Sequence, residues 1–215
     1  MEIFGKDSLW PKNDKDWQLW KYHNFQPRET FNIAKVKQGN NIDEFINNTQ
    51  RYQHDLIKLA IESYRRQAFN PVSAIFQFMF VENWPSVNWG AVDYQRQPKL
   101  AYKAMKTAYQ DILPSVEWNK KNYSKDEKII FNLWVHNDSI KELHNIRYNA
   151  ALFIDEKKIF NQYWNLDIAN NNRFELASLT LPNTYQTGSY TLVLSITDNN
   201  GQILGTNYHE FEIKE

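Results

Sequence analysis

The chain has 215 residues, equal numbers of basic and acidic side chains (25 each), a net charge of +0, a pI near 7.0 and no cysteine. That balance offers no electrostatic footprint for nucleic acid or an anionic membrane, so neither is expected as a partner. The missing thiols exclude disulfides, thiolate metal sites and cysteine catalysis, and leave the compartment open. Eight tryptophans and 15% aromatic residues point to extensive ring packing or to a ligand with flat apolar faces.

The first forty residues, with Trp10, Pro11, Trp17, Trp20 and Tyr22-His23-Asn24, lack a clean period and read as a long anchored loop. His23 is the ionisable residue to single out there, as a loop hydrogen-bonder or a substrate contact. Asn40 to Gln67 is the strongest helical segment: Ile42, Phe45, Ile46, Leu56, Leu59 and Ala60 fall largely on one face. Asn41 and Glu44 suit a capping box, and Arg65 and Arg66 suit the negative end of the helix dipole.

Ser73 to Val81 is an almost unbroken apolar run, interrupted by Gln77 and too short for a membrane span. It is expected to be a strand buried on both faces, as in parallel sheets wrapped by helices. In such folds the residues beyond the carboxyl end of a strand form the ligand rim, here Glu82, Asn83, Trp84 and Trp89. Pro98 opens a helix carried by Leu100, Ala101, Ala104, Met105 and Ala108, expected to run until Pro114.

Beyond Trp118 the pattern changes to short alternating segments: 128–136, 146–154, 173–181, 190–197 and 202–213. Turn signals divide them, notably Asn137-Asp138-Ser139, Asn170-Asn171-Asn172 and the hairpin signal Asp198-Asn199-Asn200-Gly201. The expected class is α+β, with a strand–loop–helix β/α unit within 1–115 followed by an immunoglobulin-like antiparallel β-sandwich over 116–215. Trp134, Tyr163 and Trp164 are sandwich aromatics that serve either ligand contact or packing. Asn47, Asn122 and Asn137 begin glycosylation-type triplets. The scattered histidines show no metal-ligand spacing, and no cofactor motif is present, so no cofactor is expected.

Ile75 to Tyr102, reading IFQFMFVENWPSVNWGAVDYQRQPKLAY, resembles the end of the catalytic barrel of glycoside hydrolase family 2, especially its β-mannosidase and exo-glucosaminidase branches. The matching residues are Glu82, Trp84, Pro85, Trp89, Asp93, Tyr94, Pro98, Lys99 and Tyr102. Phe78 stands where these branches usually carry a sugar-packing tryptophan. Val81-Glu82 replaces their Asn-Asp, which leaves the sugar open. The Gln- and Arg-rich helix 40–67 fits the place between the seventh and eighth barrel strands, and Asn207 to Ile213 resembles the last strand of the family's sandwich domains.

The resemblance implies a retaining O-glycosyl hydrolase acting on β-linked sugars. Such an enzyme uses two carboxyl groups about 5 to 5.5 Å apart, one as nucleophile and one as acid then base. In the family these come from the fourth and seventh strands, neither of which this chain contains. Glu2, in Met1-Glu2-Ile3-Phe4-Gly5, has the wrong spacing for the nucleophile. No catalytic residue is therefore expected, and the chain alone is expected to be inactive. The substrate-binding candidates are Trp84, Glu82, Phe78, Trp89, Asp93 and His23. Alternatives are a non-catalytic carbohydrate-binding protein and a structural accessory. The expected partners are carbohydrate, the remainder of a parent enzyme or a second copy, since the strand at 73–81 would otherwise be left with open edges. The polar opening shows no signal peptide, so a native start at Met1 implies a cytoplasmic protein.

Overall fold

A computed structural model describes residues 10–11, 13–181 and 186–215; Glu2 lies outside the described residues. The class is α+β, with three α-helices and eight strands among the described residues. The chain forms two compact units: residues up to Ile61 together with Ala74–Lys106, and Glu62–Ser73 together with Thr107–Glu215.

In the first unit the segment expected as loop contains a helix. Asn13 accepts hydrogen bonds from the Lys15 and Asp16 backbone amides (2.9 and 3.2 Å) and so caps α1, Asp14–Tyr22. Trp17 and Trp20, three residues apart, fall on one side of this short helix, where packing rather than a long period makes it helical. Trp20, Phe25 and Phe45 form a buried cluster with Trp10, Trp17, Phe31, Ile42 and Val87 around it. Its rings meet mostly edge to face, as at Trp20 and Phe45 (5.1 Å, 86°). A π-helical turn, Arg28–Ile33, follows.

Helix α2, Ile42–Arg66, forms where the sequence places it. Asn41 Oδ1 accepts from the Glu44 amide (2.9 Å), and the Glu44 carboxylate accepts from the Asn40 amide (2.9 Å), a reciprocal arrangement that satisfies the first turn. Ile46 and Leu56, expected on the buried face, are exposed instead.

The segment 73–81 departs most from its reading. Among the described residues it joins no sheet, and an isolated bridge pairs Val81 with Val92. It is not buried on both faces: Phe76 and Phe78 are 89% and 81% exposed, and Phe80, also exposed, packs on Tyr102 (6.2 Å). A parallel strand acquires two buried faces and two filled edges only from neighbouring strands, and the described residues supply none here.

Helix α3, Leu100–Ala108, starts just after Pro98 and is shorter than expected. Pro114 does not end it. That proline lies in β1, Ile112–Glu117, an edge strand, where its missing N–H costs no ladder bond.

In the second unit, β1, β3 (Ile130–Asn137) and β6 (Asn172–Thr180) make a three-stranded sheet in the order β1-β3-β6. A five-stranded sheet has the order β2-β8-β7-β4-β5, from β2 (Asn122–Ser124), β8 (Ile203–Lys214), β7 (Gly188–Thr197), β4 (Leu143–Ile154) and β5 (Lys157–Ile168). All pairings are antiparallel except β2 with β8. Alternate residues of both sheets meet in one core, including Phe131, Leu133 and Val135 of β3 and Leu192, Leu194 and Ile196 of β7. The β7–β8 hairpin turns at Asp198, whose carboxylate accepts the Asn200 and Gln202 amides (2.9 and 2.8 Å), with Gly201 at φ +78°.

Sequence patterning missed three strands. β5 went unseen because it is an edge strand with much of its length exposed, although Phe160, Trp164 and Leu166 pack on the core. Tyr163 lies under the Arg147 guanidinium instead (5.0 Å). Asn137, the third glycosylation-type asparagine, is buried with its amide donating to Lys141 and Ala169 carbonyls, which closes it to modification. Among the described residues no helix is long and apolar enough to cross a membrane, and no group of His, Asp and Glu could hold a metal ion.

Candidate functional site

The loop between Phe80 and Leu100 closes on itself through backbone hydrogen bonds. The Val92 amide donates to Phe80 O (2.9 Å), the Glu82 amide to Val92 O (3.0 Å) and the Lys99 amide to Ala91 O (3.0 Å). Inside this ring sits Glu82, 1% exposed. One carboxylate oxygen is bound by Lys99 Nζ and the other accepts from Ser86 Oγ (3.1 Å). A buried charge needs such partners, because desolvating an unpaired carboxylate is prohibitive. Lys99 also donates to Asn88 O (2.8 Å). The Glu82 carboxylate thus stands inside the loop rather than on an open rim.

Gly90 makes this packing possible. A Cβ there would lie 2.6 Å from Glu82 Cγ, closer than atoms tolerate. Asp93 organises the next turn: its Oδ1 accepts the Gln97 amide (2.8 Å), and its backbone carbonyl accepts the Arg96 amide (3.0 Å).

The loop is also tied to distant parts of its unit. His23 O accepts the Val87 amide (2.7 Å), and His23 Nδ1 lies 2.8 Å from Pro85 O, which fixes the proton on Nδ1 because a carbonyl can only accept. The His23 ring stacks on Trp84 (5.3 Å, 20°), with Tyr22 edge-on to the same indole (6.1 Å). One indole face is therefore covered, and the 38% exposure of Trp84 belongs to the rest of the ring.

Trp89 is held from the other side. Its backbone carbonyl accepts from the Gln53 amide of α2, and Gln50 Oε1 accepts the Leu100 amide at the start of α3 (3.0 Å). The folded chain thus joins His23 to Trp84 in one cluster, and sets Trp89 and Asp93 along a cleft of about 530 Å³ between α2, the loop and residues 24–36. Phe78 lines neither. Lys99, Ser86, Gln50, Gln53 and Gly90 are the residues that sequence reasoning did not assign. Lys99 carried a signal, as part of the ordered motif; the others act through tertiary contacts that leave no local pattern.

The chain is 26% identical over 103 residues to the beta-mannosidase A of Aspergillus niger, a stretch of 47% of this chain and 11% of that protein. It is 23% identical over 133 residues to the beta-mannosidase B of Aspergillus terreus, 59% of this chain and 16% of that protein. Among solved structures, an exo-chitosanase of Amycolatopsis orientalis superposes with a TM-score of 0.71 at 19% identity, over 97% of this chain and 25% of the other. The chain resembles the C-terminal part of family 2 glycoside hydrolases. A beta-D-mannosidase of Dictyoglomus thermophilum gives a TM-score of 0.70 at 19% identity, over 97% of this chain and 24% of that one. No family model matches the sequence. The chain thus spans about a tenth of the length of the first curated relatives and about a quarter of these structural neighbours.

Proposed function

We propose that this chain is the C-terminal part of a retaining family 2 glycoside hydrolase acting on β-linked sugars, and that it has no hydrolytic activity alone. In this reading the first unit is the closing portion of a (β/α) barrel and the second an immunoglobulin-like sandwich. The strand order β1-β3-β6 against β8-β7-β4-β5 supports the latter. The exposed phenyl row Phe76 and Phe78 is the surface that the remaining barrel strands cover. The observation that carries the proposal is fold likeness along 97% of the chain to both an exo-chitosanase and a beta-D-mannosidase, joined to the ordered 75–102 motif.

Trp84, with one face backed by His23, offers the sugar an apolar platform. Glu82 and Lys99 act by holding that loop in shape. Glu82 is no acid–base candidate, since both its oxygens are engaged and it is shielded from solvent.

The purified 215-residue chain should not turn over p-nitrophenyl β-D-mannopyranoside. A longer polypeptide carrying this sequence should hydrolyse a β-glycoside with retention, and Trp84→Ala within it should lower kcat/KM about tenfold or more. Turnover by the 215-residue chain that Glu82→Gln abolishes would overturn the proposal. A longer polypeptide that binds sugar but cleaves none would favour the accessory reading.

A further inference from the structure

We propose that the outer face of the β1-β3-β6 sheet, beside Arg66 at the end of α2, is a binding site for a small oxyanion. Its residues all belong to the second unit, and it does not rest on the glycosidase reading.

Strand β3 sends Phe131, Leu133 and Val135 into the sandwich core, so Trp134 and His136 point to the opposite face. Their rings lie 6.5 Å apart at 22°. Arg173 of β6 stands directly opposite His136 in the antiparallel register, and such partners share a face. Arg66, in the last turn of α2, completes the group: it and Arg173 both act on the His136 imidazole through their charge.

These four side chains carry donors without acceptors. Arg66 Nη1, Trp134 Nε1, His136 Nδ1 and Arg173 Nε are shielded from solvent and have no hydrogen-bond partner among the described residues. Neither Arg66 nor Arg173 has a carboxylate at ion-pair distance there. Arg65 shows the contrast, since it donates to Ala108 and Gln110 carbonyls (2.6 and 2.8 Å) and pairs with Asp138 (2.8 Å). Buried donors are nearly always satisfied, so four on one face call for a ligand that accepts.

The number and kind of donors select that ligand. A water molecule has two lone pairs and would leave donors over; an oxyanion has enough for all, and its geometry suits guanidinium forks. The carboxylates of this region do not fill the role. Glu175, opposite Trp134, is exposed and accepts from Ser178 Oγ (3.4 Å), Glu117 is exposed at the end of β1, and Glu62 accepts from Asn207 (2.8 Å). Glu117 and Glu62 act on Arg66 only through space. Phe69, at φ +63° in a region that bulky residues rarely adopt, sets its ring 5.7 Å from the Arg173 guanidinium and so orients this cation. Binding also selects a tautomer: with its proton on Nδ1 for the ligand, His136 accepts from Ser115 Oγ at Nε2 (3.0 Å).

The test is NMR titration of the 215-residue chain with inorganic phosphate, sulfate and chloride at constant ionic strength. Phosphate or sulfate should move the Trp134 indole and His136 ring resonances saturably, with a Kd on the order of millimolar, and the His136 nitrogens should report the proton on Nδ1. The thermal midpoint should rise along the same saturation curve. Arg173→Gln should weaken binding about tenfold or more. Glu117→Gln, which removes an exposed neighbouring charge, should tighten it, and keeps the test decisive if Arg173→Gln does not fold. Several results would overturn the site: no saturable shift at Trp134 and His136 with either oxyanion, chloride binding as tightly as both, or affinity unchanged in Glu117→Gln. Stabilisation by sulfate that never saturates and persists in Arg173→Gln is exclusion from the protein surface and would overturn it as well.

Discussion

Lys99 shows how a single side chain sets the order of its loop. Its ammonium bridges the buried Glu82 carboxylate and Asn88 O, so removing it strands a charge in a dry environment. Lys99→Met should therefore destabilise the first unit by about 3–5 kcal/mol. The double variant Glu82→Met with Lys99→Met should regain much of that loss, because an apolar pair carries no desolvation penalty. Urea denaturation followed by tryptophan fluorescence measures both, and a single variant with the native midpoint would sink the assignment. The sequence displayed Glu82 and Lys99 as members of one motif but not as partners. Seventeen positions separate them, and only the closed loop brings them together.

At the scale of elements, α2 was legible almost to its ends, since its caps are local and its charges follow the helix dipole. The five strands read from alternation all form, because alternation records which face meets the core. β1 was hidden by Pro114, which looked like a helix stop until its edge position was known. The same strand explains Gly205. A Cβ on Gly205 would come within 2.0 Å of Ile112 O, so β8 carries a glycine where β1 approaches most closely. Gly205→Ala should cost about 1–3 kcal/mol or more through displacement of β1. A thermal melt of that variant matching the native chain would refute the contact.

On the scale of the whole molecule, the second unit encloses a basic and polar cluster that ties stability to pH. His136, fully buried in β3, is pushed down to about 3 by burial first and then by Arg65, Arg66 and Arg173. Ser115 Oγ lies 3.0 Å from its Nε2, which suits a neutral ring. Between about 3 and the ordinary value of 6.5 the unfolded chain binds a proton that the folded chain excludes, so stability rises with pH across that window and falls on acidification. The slope from this one residue reaches about 1.4 kcal/mol per pH unit. His136→Gln should flatten the dependence relative to the native chain between about pH 4 and pH 6, measured by urea midpoints of the second unit. Equal slopes in the two proteins would exclude His136 as the source.

The sequence by itself determined the mixed class, the long capped helix, most of the sandwich strands and the likeness to family 2 glycosidases. The first three are written in spacing, caps and alternation over neighbouring residues, and the likeness in the ordered motif at 75–102. Only the tertiary structure decided that 73–81 joins no sheet among the described residues, that Glu82 faces Lys99, and that Trp84 stacks on His23 while Trp89 lines the cleft beside α2. Strand pairing, charge burial and side-chain facing depend on groups far apart in the chain, and local pattern carries no record of them.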